Sequence, residues 1–173
     1  LYKIYSRAIG LLFALSLLCV GCENEDILDI NDLEISPSNP ESVVIVEPDD
    51  GITSVNALTK AINENGDATY ILRRDGVYYM EGKNVFKHNV VIKAENGSGK
   101  MPMIQPICDA QGALNADMIR LEGSATFENI YIIGKDAATG NLMQRLFRID
   151  ESNVRLKFDN CFIDHCRNFC IRT

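Results

Sequence analysis

A hexapeptide recurs in this chain. Phe127-Glu128-Asn129-Ile130-Tyr131-Ile132 returns 31 residues later as Phe158-Asp159-Asn160-Cys161-Phe162-Ile163. Each copy is an aromatic residue, an acid, asparagine and three strand-forming residues. A looser third copy stands at Phe86-Lys87-His88-Asn89-Val90-Val91-Ile92, and short runs elsewhere rhyme as well: Ile119-Arg120-Leu121, Phe147-Arg148-Ile149 and Cys170-Ile171-Arg172. Short strands returning every ~20–50 residues mark arrays in which no unit buries its apolar face alone, so neighbours must stack. Stacking also gives the asparagine a reason. An Asn at a tight corner tolerates left-handed backbone geometry, and its side-chain amide can bond its copy above and below. The aromatic and aliphatic positions then fill a continuous core.

The rest of the chain fits that pattern. Short β-rich runs lie at 69–72, 77–80, 89–94, 102–107, 118–123, 125–134, 145–150, 155–164 and 169–173, most of them separated by Gly, Asn or Asp. One amphipathic helix precedes them. Thr53 or Ser54 is the expected cap, Val55, Leu58, Ala61 and Ile62 supply the apolar face, and Asn65-Gly66-Asp67 ends it. Such a helix can cover the open apolar end of a first repeat and its unpaired strand edges.

Ahead of this lies an export signal. Lys3 and Arg7 precede an apolar run from Ala8 to Val20 that ends in Gly21-Cys22 and then acid. At 13 residues the run is shorter than the ~20 of a membrane-spanning helix. Val20-Gly21-Cys22 resembles the cleavage and lipidation site of bacterial lipoproteins, with Cys19 where an aliphatic residue is usual. The resemblance implies a signal peptide over 1–21, lipid on Cys22 and anchorage at an outer membrane or cell surface. Residues 22–48 read as an acidic, proline-punctuated tether, in which VVIV at 43–46 is a strand able to dock on the domain that follows. Without residues 1–21 the chain carries 15 basic and 24 acidic residues, a net charge of −9, which speaks against nucleic acid as a partner. What remains suffices for one cored domain.

Residues 55–79, VNALTKAINENGDATYILRRDGVYY, resemble the opening of right-handed parallel β-helix proteins of the pectin lyase and pectin methylesterase type. There a capping helix leads into a strand and a "dGvY" turn, here Asp75-Gly76-Val77-Tyr78. Residues 89–97 and the two hexapeptides resemble later coils. The resemblance implies an all-β, right-handed parallel β-helix over 49–173 with an N-terminal capping α-helix, and a β-helix expected to continue past Thr173. It also implies an extracellular polysaccharide as ligand. It carries no catalytic residue across, since these coils occur in lyases, esterases, hydrolases and binding proteins alike.

The candidate contact residues are correspondingly few. Arg120, Arg148 and Arg172 match in the repeat and form either an outward ladder for a uronate or sulfate or a ladder paired with Glu122, Asp150 and Glu151. Tyr70, Tyr78, Tyr79 and Tyr131 are either platforms for sugar rings, with Tyr131 the favoured one, or ordinary strand formers. Asp159 and Asp164 flank a strand beside His165, but their opposite parity argues against a catalytic dyad. Glu128 and Asp159 occupy matching positions and either bind Ca2+ or face water; no cofactor is required. Cys161, Cys166 and Cys170 lack the CxxC pairs of a zinc site and read as packed core. Three functions follow as expectations: a surface lipoprotein that recognises or handles polysaccharide, part of a lyase or esterase whose active site lies beyond Thr173, or an adhesin-like structural module.

Overall fold

The computed structural model describes residues 42–173. The signal over 1–21, Cys22 and the tether as far as residue 41 lie outside the described residues. What is described is mostly β, with parallel strands in three sheets and one helix.

The strands are β1 (Val43–Val46), β2 (Ala68–Leu72), β3 (Val77–Glu81), β4 (Asn84–Phe86), β5 (Val90–Ala94), β6 (Met103–Ile107) and β7 (Asp117–Leu121). They continue as β8 (Ala125–Glu128), β9 (Tyr131–Ile133), β10 (Arg145–Ile149), β11 (Leu156–Asp159), β12 (Phe162–Asp164) and β13 (Phe169–Arg172). The helix α1 (Ala57–Asn65) lies between β1 and β2. Sheet A runs β1-β2-β5-β8-β11, sheet B runs β3-β6-β9-β12, and sheet C runs β4-β7-β10-β13. From β2 onward the chain therefore visits A, B and C in turn. Each tier of three consecutive strands gives one strand to each sheet, and there are four such tiers.

Alternation of side chains directs the packing. Along β5, Val90, Ile92 and Ala94 are buried and the residues between them are not; Tyr78 and Met80 of β3 and Ile104 of β6 follow the same rule. Parallel register then sets like positions over one another. In sheet A the inward column is Tyr70, Ile92, Phe127 and Phe158. The rings of Phe127 and Phe158 stack at 5.6 Å, and Phe147 of sheet C meets both edge-on at 5.4 Å.

The asparagines do what the repeat implies. Asn129 and Asn160 have φ of 58° and 48°, and the Asn160 amide donates to Asn129 Oδ1 at 2.5 Å. Each turns the chain from sheet A into sheet B. The runs 125–134 and 155–164 are accordingly two strands each, β8 with β9 and β11 with β12. The third copy is out of phase: Phe127 pairs with Ile92, whereas Phe86 ends β4 and pairs with Leu121 in sheet C. Asn89 thus serves a different corner, accepting from the Ser124 amide. β4, only three residues long, gives too little alternation to be read in the sequence.

The helix starts later than its caps suggest. Thr53 and Ser54 give their amides to the Asp50 carboxylate, and the first helical amide, Ala57 N–H, is taken by Asp49 from outside. Asn56 stands at the cap position with φ of 63° and no side-chain bond into the helix. Gly66, at φ 70°, closes α1 by donating to Ile62 O. Leu58 and Ile62 are fully buried, and α1 packs on β1, β2, β3 and β4. The VVIV segment is β1, paired in parallel with β2.

Candidate functional site

The outer face of sheet B carries a cleft of about 660 Å³. Its floor is one register column, Val77, Met103, Tyr131 and Phe162, contributed by β3, β6, β9 and β12. These positions point outward because their neighbours Tyr78, Ile104 and Ile132 are fully buried. Tyr131 is half-buried, and Phe162 beside it is 63% exposed. Polar groups edge the cleft: Asp75 and Lys100 at one end, Asp164 at the other. Asp75 sits in the turn before β3 with φ of 61° and accepts the Lys100 amide at 3.1 Å, which joins the loops of two tiers. Tyr78 fixes the same turn, its hydroxyl accepting from Arg73 N–H and donating to Val46 O at 2.7 Å. Asp164 pairs with His165 Nδ1 at 2.7 Å. The combination of an apolar floor, two aromatic residues paired in register and charged rims suits a flat ring that bears hydroxyls or a charge.

Sheet C carries the arginines. Arg120, Arg148 and Arg172 are register partners across β7, β10 and β13. The ladder is therefore real, and its first two members are ion-paired. Asp150 bridges them, accepting from Arg148 Nε at 2.5 Å and lying 3.1 Å from Arg120 Nε. Asp117 lies 3.8 Å from each and is hydrogen-bonded to Arg145, its own register partner. The Asp150 hydrogen bond raises the Arg148 guanidinium above its ordinary range; burial opposes it, and the charges of Asp150 and Asp117 add to it. Of the three acids expected, Asp150 takes part; Asp117, which reaches Arg145 and Arg148 only through strand pairing, was not legible as a partner. Arg172 makes no ion pair among the described residues.

Structure thus divides the expected contacts. The arginines share sheet C, while Tyr131 lies on sheet B. Two of the other tyrosines are removed as ring platforms: Tyr70 and Tyr78 are fully buried, with hydroxyls bonded to Gly66 O and Val46 O. Burial pushes both phenols up to about 12. Tyr79 faces out of sheet B but lies against Gly51. Asp159 ends a strand of sheet A and Asp164 one of sheet B, so a corner rather than strand parity separates them. Register puts Glu128 between Lys93 and Asp159, giving that carboxylate pair a cation next to it. Cys161, Cys166 and Cys170 are partly buried against the core. Among the described residues no three His, Cys, Asp or Glu side chains converge as a metal ion would require.

Phe162, Lys100, Asp75 and Asp164 were not singled out as a group by sequence. The signal for Phe162 was present, since it occupies the position of Tyr131 in the second hexapeptide. Compared with known proteins, the chain matches no family model and no curated sequence.

Proposed function

We propose that this chain folds as a right-handed parallel β-helix, is held at a cell surface by lipid on Cys22, and recognises an extracellular polysaccharide along sheet B. The rotation of the chain through three parallel sheets, the Asn129–Asn160 ladder and the capping position of α1 support the β-helix. The single observation that carries the ligand class is the outward column of Tyr131 and Phe162 over a cleft with charged rims. Sugar rings pack their C–H faces on aromatic rings, and Lys100 at the rim supplies a cation for a carboxylate or sulfate substituent. In-register side chains repeat at ~4.8 Å, which matches a ligand that is itself a repeating polymer.

Calorimetric titration with a panel of soluble acidic and neutral polysaccharides tests the reading. Binding by at least one polymer, weakened about fivefold to tenfold in Tyr131→Ala and again in Phe162→Ala, is the expected result, each ring contributing about 1 kcal/mol. Binding that ignores both substitutions overturns the assignment of the cleft. Formation of unsaturated sugar ends during the titration would replace recognition by lyase chemistry. Lipidation is tested separately by growth with labelled palmitate, where label must appear on the wild type and vanish in Cys22→Ala.

The arginine ladder favours a second reading, a structural surface module without glycan specificity. Arg120 and Arg148 answer Asp117 and Asp150, so their role is to hold tiers together. A polysaccharide panel with no binder supports that module.

A further inference from the structure

Cys166 in the turn after β12 and Cys170 in β13 hold their thiols face to face. Cys166 and Cys170 bring their sulfurs to 2.8 Å, against ~2.05 Å for a disulfide bond. The backbone between them is docked on the preceding tier: Arg167 N–H donates to Met143 O at 2.8 Å and Asn168 N–H to Gln144 O at 3.2 Å. The two sulfurs are thus held within reach of each other by a backbone that is itself hydrogen-bonded to the preceding tier. The other described cysteines are engaged elsewhere. Cys161 Sγ lies 3.3 Å from Phe127 O and from Asp159 O, and Cys108 Sγ is 3.8 Å from Thr139 Oγ1.

We propose that Cys166 and Cys170 are a disulfide-forming pair that staples residues 166–170 in the last tier. The oxidant is a small-molecule or protein disulfide. The thiolate of one cysteine attacks a sulfur of the oxidant and expels one thiolate. The second cysteine, as thiolate, then attacks the mixed disulfide at the protein sulfur and expels the other. Two protein thiols lose two protons and two electrons, and one disulfide becomes two thiols. Burial, together with the neighbouring Cys170 thiol, pushes the Cys166 thiol up to about 11, so Cys166 waits in the protonated form and reacts faster as the pH rises. The staple does not depend on the polysaccharide reading.

Tryptic mapping reads the pair directly, because Arg167 lies between the two cysteines. The full chain is equilibrated in glutathione buffers of increasing oxidised fraction, blocked with N-ethylmaleimide and digested. The expected product joins residues 158–167 to residues 168–172, carries no maleimide on Cys166 or Cys170, and separates on reduction. Cys161→Ser must retain that product and Cys170→Ser must lose it. Maleimide on both Cys166 and Cys170 at every poise overturns the proposal, as does a link that runs through Cys161 or Cys108. The wild-type digest alone separates these outcomes, even where a variant fails to fold.

Discussion

At the α1 end the outer edges of β2 and β3 are covered. β1 pairs along β2, and the outer edge of β3 is answered residue by residue. Asp49 N–H donates to Val77 O, the Asp49 carboxylate takes Tyr79 N–H, Asn56 N–H donates to Tyr79 O, and the Asn56 amide takes and gives at Glu81. Leu58 and Ile62 close the core above. At the other end β11, β12 and β13 are each the outermost strand of a sheet, and among the described residues nothing pairs with their far edges. Ile171, whose register partner Phe147 is fully buried, is 44% exposed there, and Phe169 is 60% exposed. The two outer faces of the described residues therefore differ: one is covered by α1, Asp49 and Asn56, and the other presents β11, β12 and β13. Covering a tier takes residues of another kind, supplied before β2 by a helix, an aspartate and an asparagine.

The largest test of this contrast is Leu58→Ala, which hollows the cap and is expected to cost about 2–5 kcal/mol in denaturant unfolding. Next is Asp49→Ala. It strands the Tyr79 and Ala57 amides together, so a loss of about 1–3 kcal/mol is expected, with hydrogen exchange at Tyr79 rising before the rest of the sheet. Asn160→Ala removes one ladder bond and leaves an ordinary residue at positive φ; about 1–2 kcal/mol is expected, again by denaturant. The smallest effect is expected in β13. Ile171→Ala is expected to change stability by under about 1 kcal/mol, because much of its side chain already meets water. A cost for Ile171→Ala equal to that for Leu58→Ala would mean the two ends are equally covered in solution, and the comparison would fail.

Much of the fold was legible because the repeat is a physical statement about register. The hexapeptide names its corner, its inward aromatic and its outward partner, and Phe127, Asn129 and Tyr131 occupy those three roles. Leu58, Ala61 and Ile62 located the helix, although Val55, expected on the same face, lies ahead of it. Its cap was misplaced because Asp49 reaches in from eight residues ahead of Ala57, which no local spacing signals. Phe86 misled for a related reason: an aromatic before an Asn also occurs where sheet C hands over to sheet A, and only pairing tells the corners apart. The site was less legible. A cleft edged by Asp75, Lys100 and Asp164 is assembled from turns of different tiers, and Asp117 meets Arg145 across strands rather than along one. Tyr70 and Tyr78 lie on strands as outward-looking in composition as Tyr131's; only inside–outside parity separated them.

The parallel registers also have a mechanical meaning. Within each sheet the hydrogen bonds run from strand to strand, so a pull along the direction of stacking loads the tiers in series, and the weakest joint yields first. Between β8–β10 and β11–β13 that load is shared by the strand pairings of all three sheets and by the Asn160–Asn129 amide bond at the corner of sheets A and B.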